Sequence, residues 1–173
     1  MLGHGIWLSD SELSRCHERE GSITHCPTSN LFLGSGLFPV RHAKDLKRPV
    51  HVGLGTDVGA GTSFSLLATL NESYKISQLL NAPIGALESL YLATLGGARA
   101  LDLEDRLGSL APGRETDLVV LNPKATSLLA FREHRSRGIE ETLFVLMTLG
   151  DDRAVRATYI AGELAHAREP VDA

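Results

Sequence analysis

Val50-His-Val-Gly-Leu-Gly-Thr-Asp57-Val-Gly-Ala-Gly-Thr-Ser-Phe64 decides how this chain is read. Period-two alternation puts Val50, Val52, Leu54 and Thr56 on one face of a strand and His51, Gly53, Gly55 and Asp57 on the other. A strand with β-branched and aliphatic residues on one side and glycines on the other fits a parallel sheet or barrel: helices cover the apolar side and the bare side meets a crowded interior. Asp57 then emerges at the strand's carboxyl end, where loops of α/β folds converge on ligands. The Gly59-Ala60-Gly61 run permits close backbone approach, and Ser63 offers an oxygen to start a helix. A turn-capping role for Asp57 is the alternative reading.

Upstream, Met1-Leu2-Gly3-His4-Gly5 reads as the end of a buried strand, so the chain is expected to start in the middle of a larger fold. Ser9-Asp10-Ser11-Glu12 matches a capping box, with Leu8 and Leu13 as a hydrophobic staple, and predicts a helix from about Asp10 to Glu20. Ser22 to Cys26 reads as a strand. Pro27 to Gly36 reads as a packed loop, and Pro39 to Lys47 as a short basic helix. Short strands alternating with helices are the signature of βα units on a parallel sheet.

Helical spacing then runs from Ser65 to Leu80, and a helix opened by Pro83 carries Leu87, Leu90, Tyr91 and Thr94. After Gly108 the texture changes. Asp117 to Leu121 is a short apolar strand, residues near Ile139 to Leu149 are helical, and Val155 to Ile160 with Glu163 to His166 form a hairpin around Ala161-Gly162. The fold class is α/β, with residues 1–111 as a partial barrel domain and residues 112–173 as a β-rich segment.

The 173 residues are 43% hydrophobic and 22% charged, which suits one soluble globular unit with a real core. A net charge of −4 gives no electrostatic reason to expect nucleic acid or an anionic membrane as partner. No apolar run approaches the roughly 20 residues that span a bilayer. Cys16 and Cys26 form no C-x-x-C pair, so neither a disulfide framework nor a thiolate zinc site is suggested, and a reduced cytoplasmic setting is expected.

His4 ends its strand at the level of Asp57, which makes it a candidate general acid/base or ligand. His25 and Cys26 point to opposite faces. His25 is read as structural or as lining the pocket, and His51 lies roughly 20 Å behind Asp57. His17, His42, His134 and His166 are read as solvated surface residues. One carboxylate and one or two histidines are too few for a complete catalytic zinc site, and neither H-x-H nor H-E-x-x-H occurs.

Gly3-His4-Gly5-Ile6-Trp7-Leu8, His25-Cys-Pro-Thr-Ser-Asn-Leu-Phe-Leu-Gly-Ser-Gly36, Gly53-Leu-Gly-Thr-Asp57-Val-Gly-Ala-Gly-Thr62, Tyr91-Leu-Ala-Thr-Leu-Gly-Gly97 and Phe144-Val-Leu-Met-Thr-Leu-Gly-Asp-Asp-Arg153 together resemble the bacterial guanine deaminase family of the amidohydrolase superfamily. The resemblance implies the carboxyl-terminal portion, about three βα units, of a (β/α)8 barrel beside a small β-sandwich: strands six, seven and eight at Met1 to Leu8, Ser22 to Cys26 and Pro49 to Asp57. It implies one zinc ion, guanine as the small-molecule substrate, a homodimer when full length, Asp57 as metal ligand and proton handler, and His4 as the catalytic histidine beside the metal. The remaining ligands, the catalytic glutamate and the substrate-binding residues find no counterpart here. The resemblance therefore implies a truncated piece that alone neither holds catalytic zinc nor deaminates guanine. Alternatives are a related aminohydrolase or chlorohydrolase acting on another heterocycle, and a non-catalytic short protein that pairs with a full-length subunit.

Overall fold

The computed structural model describes residues 1–168; of the segment 112–173, residues 169–173 lie outside the described residues. Three short strands, β1 (Leu2–Gly3), β2 (Ser22–His25) and β3 (His51–Leu54), form a parallel sheet in the order β1-β2-β3, with Ile23 opposite both Leu2 and Val52. Helix α1 (Asp10–Glu18) makes the first crossover, and its start is fixed by the capping box: Ser9 accepts from the Glu12 amide, and the Glu12 carboxylate accepts from the Ser9 amide at 2.8 Å. The helix ends two residues before the expected Glu20, because Arg19 leaves helical geometry and Glu20 takes a left-handed φ of 53°.

The second crossover differs from its sequence reading. Pro27–Phe32 is a helix, α2, with Pro27 in the first turn, where its missing N–H costs nothing. Pro27, Thr28, Ser29 and Asn30 are buried, whereas Leu31, Phe32 and Leu33 are exposed, so the apolar half of this segment does not pack. The basic helix contracts to one turn, α3 (Val40–Ala43).

The apolar side of β3 is buried as expected, whereas its glycine side, expected to meet a crowded interior, is covered by a helix. Val50 and Val52 are 2% and 1% exposed and join Leu13, Ile23, Phe38, Val40, Ala43, Ile84 and Leu92 in one core under α1, α3 and α5 (Ala86–Ala93). The opposite face is crossed by α6 (Leu95–Ala100), which approaches to van der Waals contact because Gly53 and Gly97 oppose each other; Ser22 Oγ donates to the Ala100 carbonyl at 2.6 Å. Helix α4 (Leu66–Leu79) is capped by Ser65, which accepts from the Ala68 amide, and not by Ser63, which instead accepts from the Ser65 amide.

The remaining elements are β4 (Leu118–Leu121), α7 (Ser127–Glu133), α8 (Ile139–Leu149), β5 (Val155–Ile160) and β6 (Glu163–Ala167). The strands form an antiparallel sheet ordered β4-β5-β6, with Ala161-Gly162 turning the hairpin. Helix α7 is set by Thr126, whose hydroxyl accepts from the Leu129 amide, and was not anticipated from the sequence. Leu129, Val145, Leu146 and Ala154 form a second core, sealed by Leu67 of α4 and Leu121 of β4.

Candidate functional site

Because the sheet is parallel, the carboxyl ends of β1 and β3 lie on the same side, one on each flank of β2. His4 follows β1 directly, and its amide still donates to the Thr24 carbonyl at 2.9 Å, so the ladder reaches one residue past the assigned strand. Asp57 follows β3. Both residues have left-handed backbones, φ 64° at His4 and 48° at Asp57, a conformation that costs most non-glycine residues free energy and that His and Asp tolerate better than others. A tight turn holds Asp57 there: the Gly61 amide donates to the Asp57 carbonyl at 2.5 Å, and a Cβ on Gly61 would overlap the Thr56 carbonyl at 1.9 Å.

The side chains meet. His4 Nε2 lies 3.7 Å from Asp57 Oδ2, with the two side chains 44% and 37% exposed. That is too long for a direct hydrogen bond and short enough for both to touch one shared atom. Cys26, the residue before α2, points to the same place: one donor atom each from His4, Cys26 and Asp57 lie within 4.8 Å of one another, a nitrogen, sulfur and oxygen set compatible with a zinc-type ion. Burial, and then the Asp57 charge, push the Cys26 thiol above its usual range.

Asn30, which the sequence reading treats as a turn former, is also part of this group. Its Oδ1 lies 2.8 Å from His4 Nδ1, across 26 residues of sequence, and the residue is 1% exposed. The His-Cys-Pro-x-Ser-Asn motif is the signal that could have pointed to it.

His25 does not enter the site. It is fully buried, its ring 5.2 Å from that of Phe38, and neither ring nitrogen has a protein partner among the described residues. Burial drives its pKa down to about 3, so it is a neutral core residue. His51 is exposed at the start of β3. His17 and His42 are exposed, as expected, and each also makes a surface contact: His17 Nδ1 with the Pro49 carbonyl at 2.9 Å and His42 Nε2 with Asp10 at 2.7 Å. A cavity of about 750 Å³ between α4, α5, α7 and α8 is lined by none of the site residues.

The comparisons with known proteins place the chain among relatives of the same fold. The chain is similar to the guanine deaminase of Escherichia coli (strain K12), with 49% identity over 168 residues, 97% of this chain and 38% of that protein. On the solved structure of the E. coli enzyme it superposes with a TM-score of 0.93 at 48% identity, covering 96% of this chain and 39% of the other. A guanine deaminase from C. acetobutylicum with bound guanine in the active site gives 0.77 at 30% identity, over 94% and 38% of the two chains. An adenosine deaminase from Xanthomonas campestris with bound zinc gives 0.79 at 29%, over 94% and 36%. The chain thus spans less than two fifths of the length of these relatives. The model of the amidohydrolase family matches residues 1–165, a span that takes in the parallel sheet, most of the antiparallel one and the paired His4 and Asp57, and the chain belongs to that family.

Proposed function

We propose that this chain supplies part of the active site of a zinc-dependent guanine deaminase, in which water displaces the amino group of guanine to give xanthine and ammonia. The observation that carries the reading is the convergence of His4 and Asp57, 3.7 Å apart, at the carboxyl ends of strands flanking β2. Similarity to relatives named guanine deaminase supports the substrate. On this reading β1, β2 and β3 are the sixth to eighth strands of a (β/α)8 barrel, and β4 to β6 belong to a companion sandwich.

Asp57 would hold the zinc ion through its carboxylate, with His4 beside it and Cys26 within reach. Zinc, when bound, supplies the acidity that lets a water lose its proton near neutral pH. Asp57 takes that proton and returns it to the departing amino group. His4 Nε2 holds the water in line with the amino-bearing carbon. The water oxygen bonds to that carbon and the carbon–nitrogen bond breaks. One water hydrogen leaves in ammonia and the other ends on a ring nitrogen of xanthine. The remaining metal ligands and the groups that grip the purine belong, in this proposal, to the larger protein, a cytoplasmic homodimer, and the 173-residue chain alone neither retains catalytic zinc nor turns over guanine.

A chimera tests this: the matching segment of the E. coli enzyme is replaced by this chain, and guanine conversion to xanthine is followed by ultraviolet absorbance. Turnover that disappears in Asp57→Asn supports the proposal. A folded, zinc-loaded chimera without turnover refutes it.

A further inference from the structure

We infer that Asn30 is a positioning residue that fixes the tautomer of His4, so that Nε2 presents a lone pair and not a hydrogen to the space in front of Asp57. The inference rests on His4 and Asp57 acting as a pair, and not on guanine being the substrate.

An amide oxygen can only accept. With Asn30 Oδ1 at 2.8 Å, the hydrogen of a neutral His4 ring must sit on Nδ1, and Nε2 is then an acceptor. Asn30 is well placed to impose this. Its amide donates to the Cys26 carbonyl at 3.0 Å and its carbonyl accepts from the Ser35 amide at 2.9 Å, so both ends of its backbone are tied, and its side chain is enclosed at 1% exposure. The His4 backbone is tied as well, through its amide to Thr24. A packing role alone does not explain the amide, because Nδ2 is buried without a protein partner among the described residues, a cost that a leucine of similar size would avoid.

The consequence falls on the 3.7 Å gap between His4 Nε2 and Asp57 Oδ2. Two acceptors facing each other across that distance both point at whatever donor or cation sits between them, and neither satisfies the other. A water held there gives one hydrogen to each. If the amide were rotated, Nδ2 would donate to Nδ1 and the ring hydrogen would move to Nε2. His4 could then donate to Asp57 but could not accept from a water. The two orientations make opposite statements about the chemistry, and they differ in one observable.

That observable is the pair of ring nitrogen shifts in the whole chain labelled with 15N-histidine, recorded at about pH 8.5, roughly two units above the ordinary imidazole pKa. The His4 signals are assigned by their loss in His4→Gln. In the unmodified chain, Nδ1 is expected at the protonated-type position and Nε2 at the unprotonated one. Asn30→Asp keeps this pattern, because a carboxylate also accepts. Asn30→Leu loses it, with Nε2–H becoming the major form while the buried His25 signals stay in place and report an intact core. An Nε2–H ring or a doubly protonated ring in the unmodified chain overturns the inference, as does an unchanged His4 pattern in Asn30→Leu. If Asn30→Leu fails to fold, the unmodified chain and Asn30→Asp still decide. Loss of deamination in the chimera together with an Nδ1–H ring would count against the proposed reaction and leave this inference standing.

Discussion

Gly53 of β3 faces Gly97 of α6 so closely that a methyl on Gly53 would sit 3.0 Å from the Gly97 Cα and 3.3 Å from the Ala100 Cβ. Both obstacles belong to one helix, and that helix is also pinned by the Ser22 to Ala100 hydrogen bond, so it cannot simply step aside. Gly53→Ala is therefore expected to destabilise the fold by about 1–3 kcal/mol, the usual cost of forcing atoms into a packed contact, and Gly53→Val by more. Urea denaturation of the chain measures this. An unchanged midpoint would mean that α6 is not held against the sheet.

Asp57 sits at a left-handed φ that asparagine adopts readily, so Asp57→Asn isolates the chemistry from the backbone. In the chimera, kcat is expected to fall by at least about 10²-fold, since the substitution removes a proton carrier and, on the proposed reading, a metal ligand with it. Comparable activity in Asp57→Asn would assign the proton to another group.

Gly61 carries the position of Asp57 and not its chemistry. A Cβ there would overlap the Thr56 carbonyl at 1.9 Å and press on the Asp57 carbonyl at 2.9 Å, so Gly61→Ala must open the turn. The turn lies outside both cores, so the melting temperature is expected to change little while turnover by the chimera drops at least tenfold. A fall in both together would show that the turn is part of the folding unit.

What the sequence made legible, and what it did not, follows from the range of the interactions. The apolar face of β3 and the cap of α1 depend on residues within four positions of each other, and both were readable: alternating Val50 and Val52 are buried, and Ser9 and Glu12 bond reciprocally. Helix α2 was not. Thr28, Ser29 and Asn30 are turn formers by propensity, yet Pro27 fits a first helical turn and burial holds the segment helical. Helix α7 was missed because Leu128 and Phe131 are exposed, which leaves Leu129 as its only fully buried side chain and erases the periodic signal. The pairing of His4 with Asp57 was anticipated from strand ends, whereas the contact of His4 with Asn30 was not, since it depends on where α2 turns after β2.

The buried His25 sets the last prediction. Its folded-state pKa is lowered to about 3 by burial, against an ordinary value of 6.5. Between those two values the unfolded chain binds a proton at this position and the folded chain does not, so stability rises with pH across that window and falls as the solution is acidified. Above pH 6.5 both states are neutral there and the contribution is flat. Each unit of acidification below 6.5 is expected to remove roughly 1 kcal/mol from this group alone. The lowered carboxyls of Asp151 and Glu12 start from ordinary values of 3.8 and 4.5, so their loss falls at the acid end of the range. Urea midpoints between about pH 5 and 6.5 isolate the histidine. His25→Leu removes the titrating ring and leaves an apolar side chain beside Phe38; it is expected to flatten the slope in that interval and to leave the neutral-pH midpoint within about 1 kcal/mol of the parent. A slope that survives in His25→Leu would place the titrating group elsewhere, and a collapse of the variant at neutral pH would mean that the ring nitrogens hold partners that the core cannot lose.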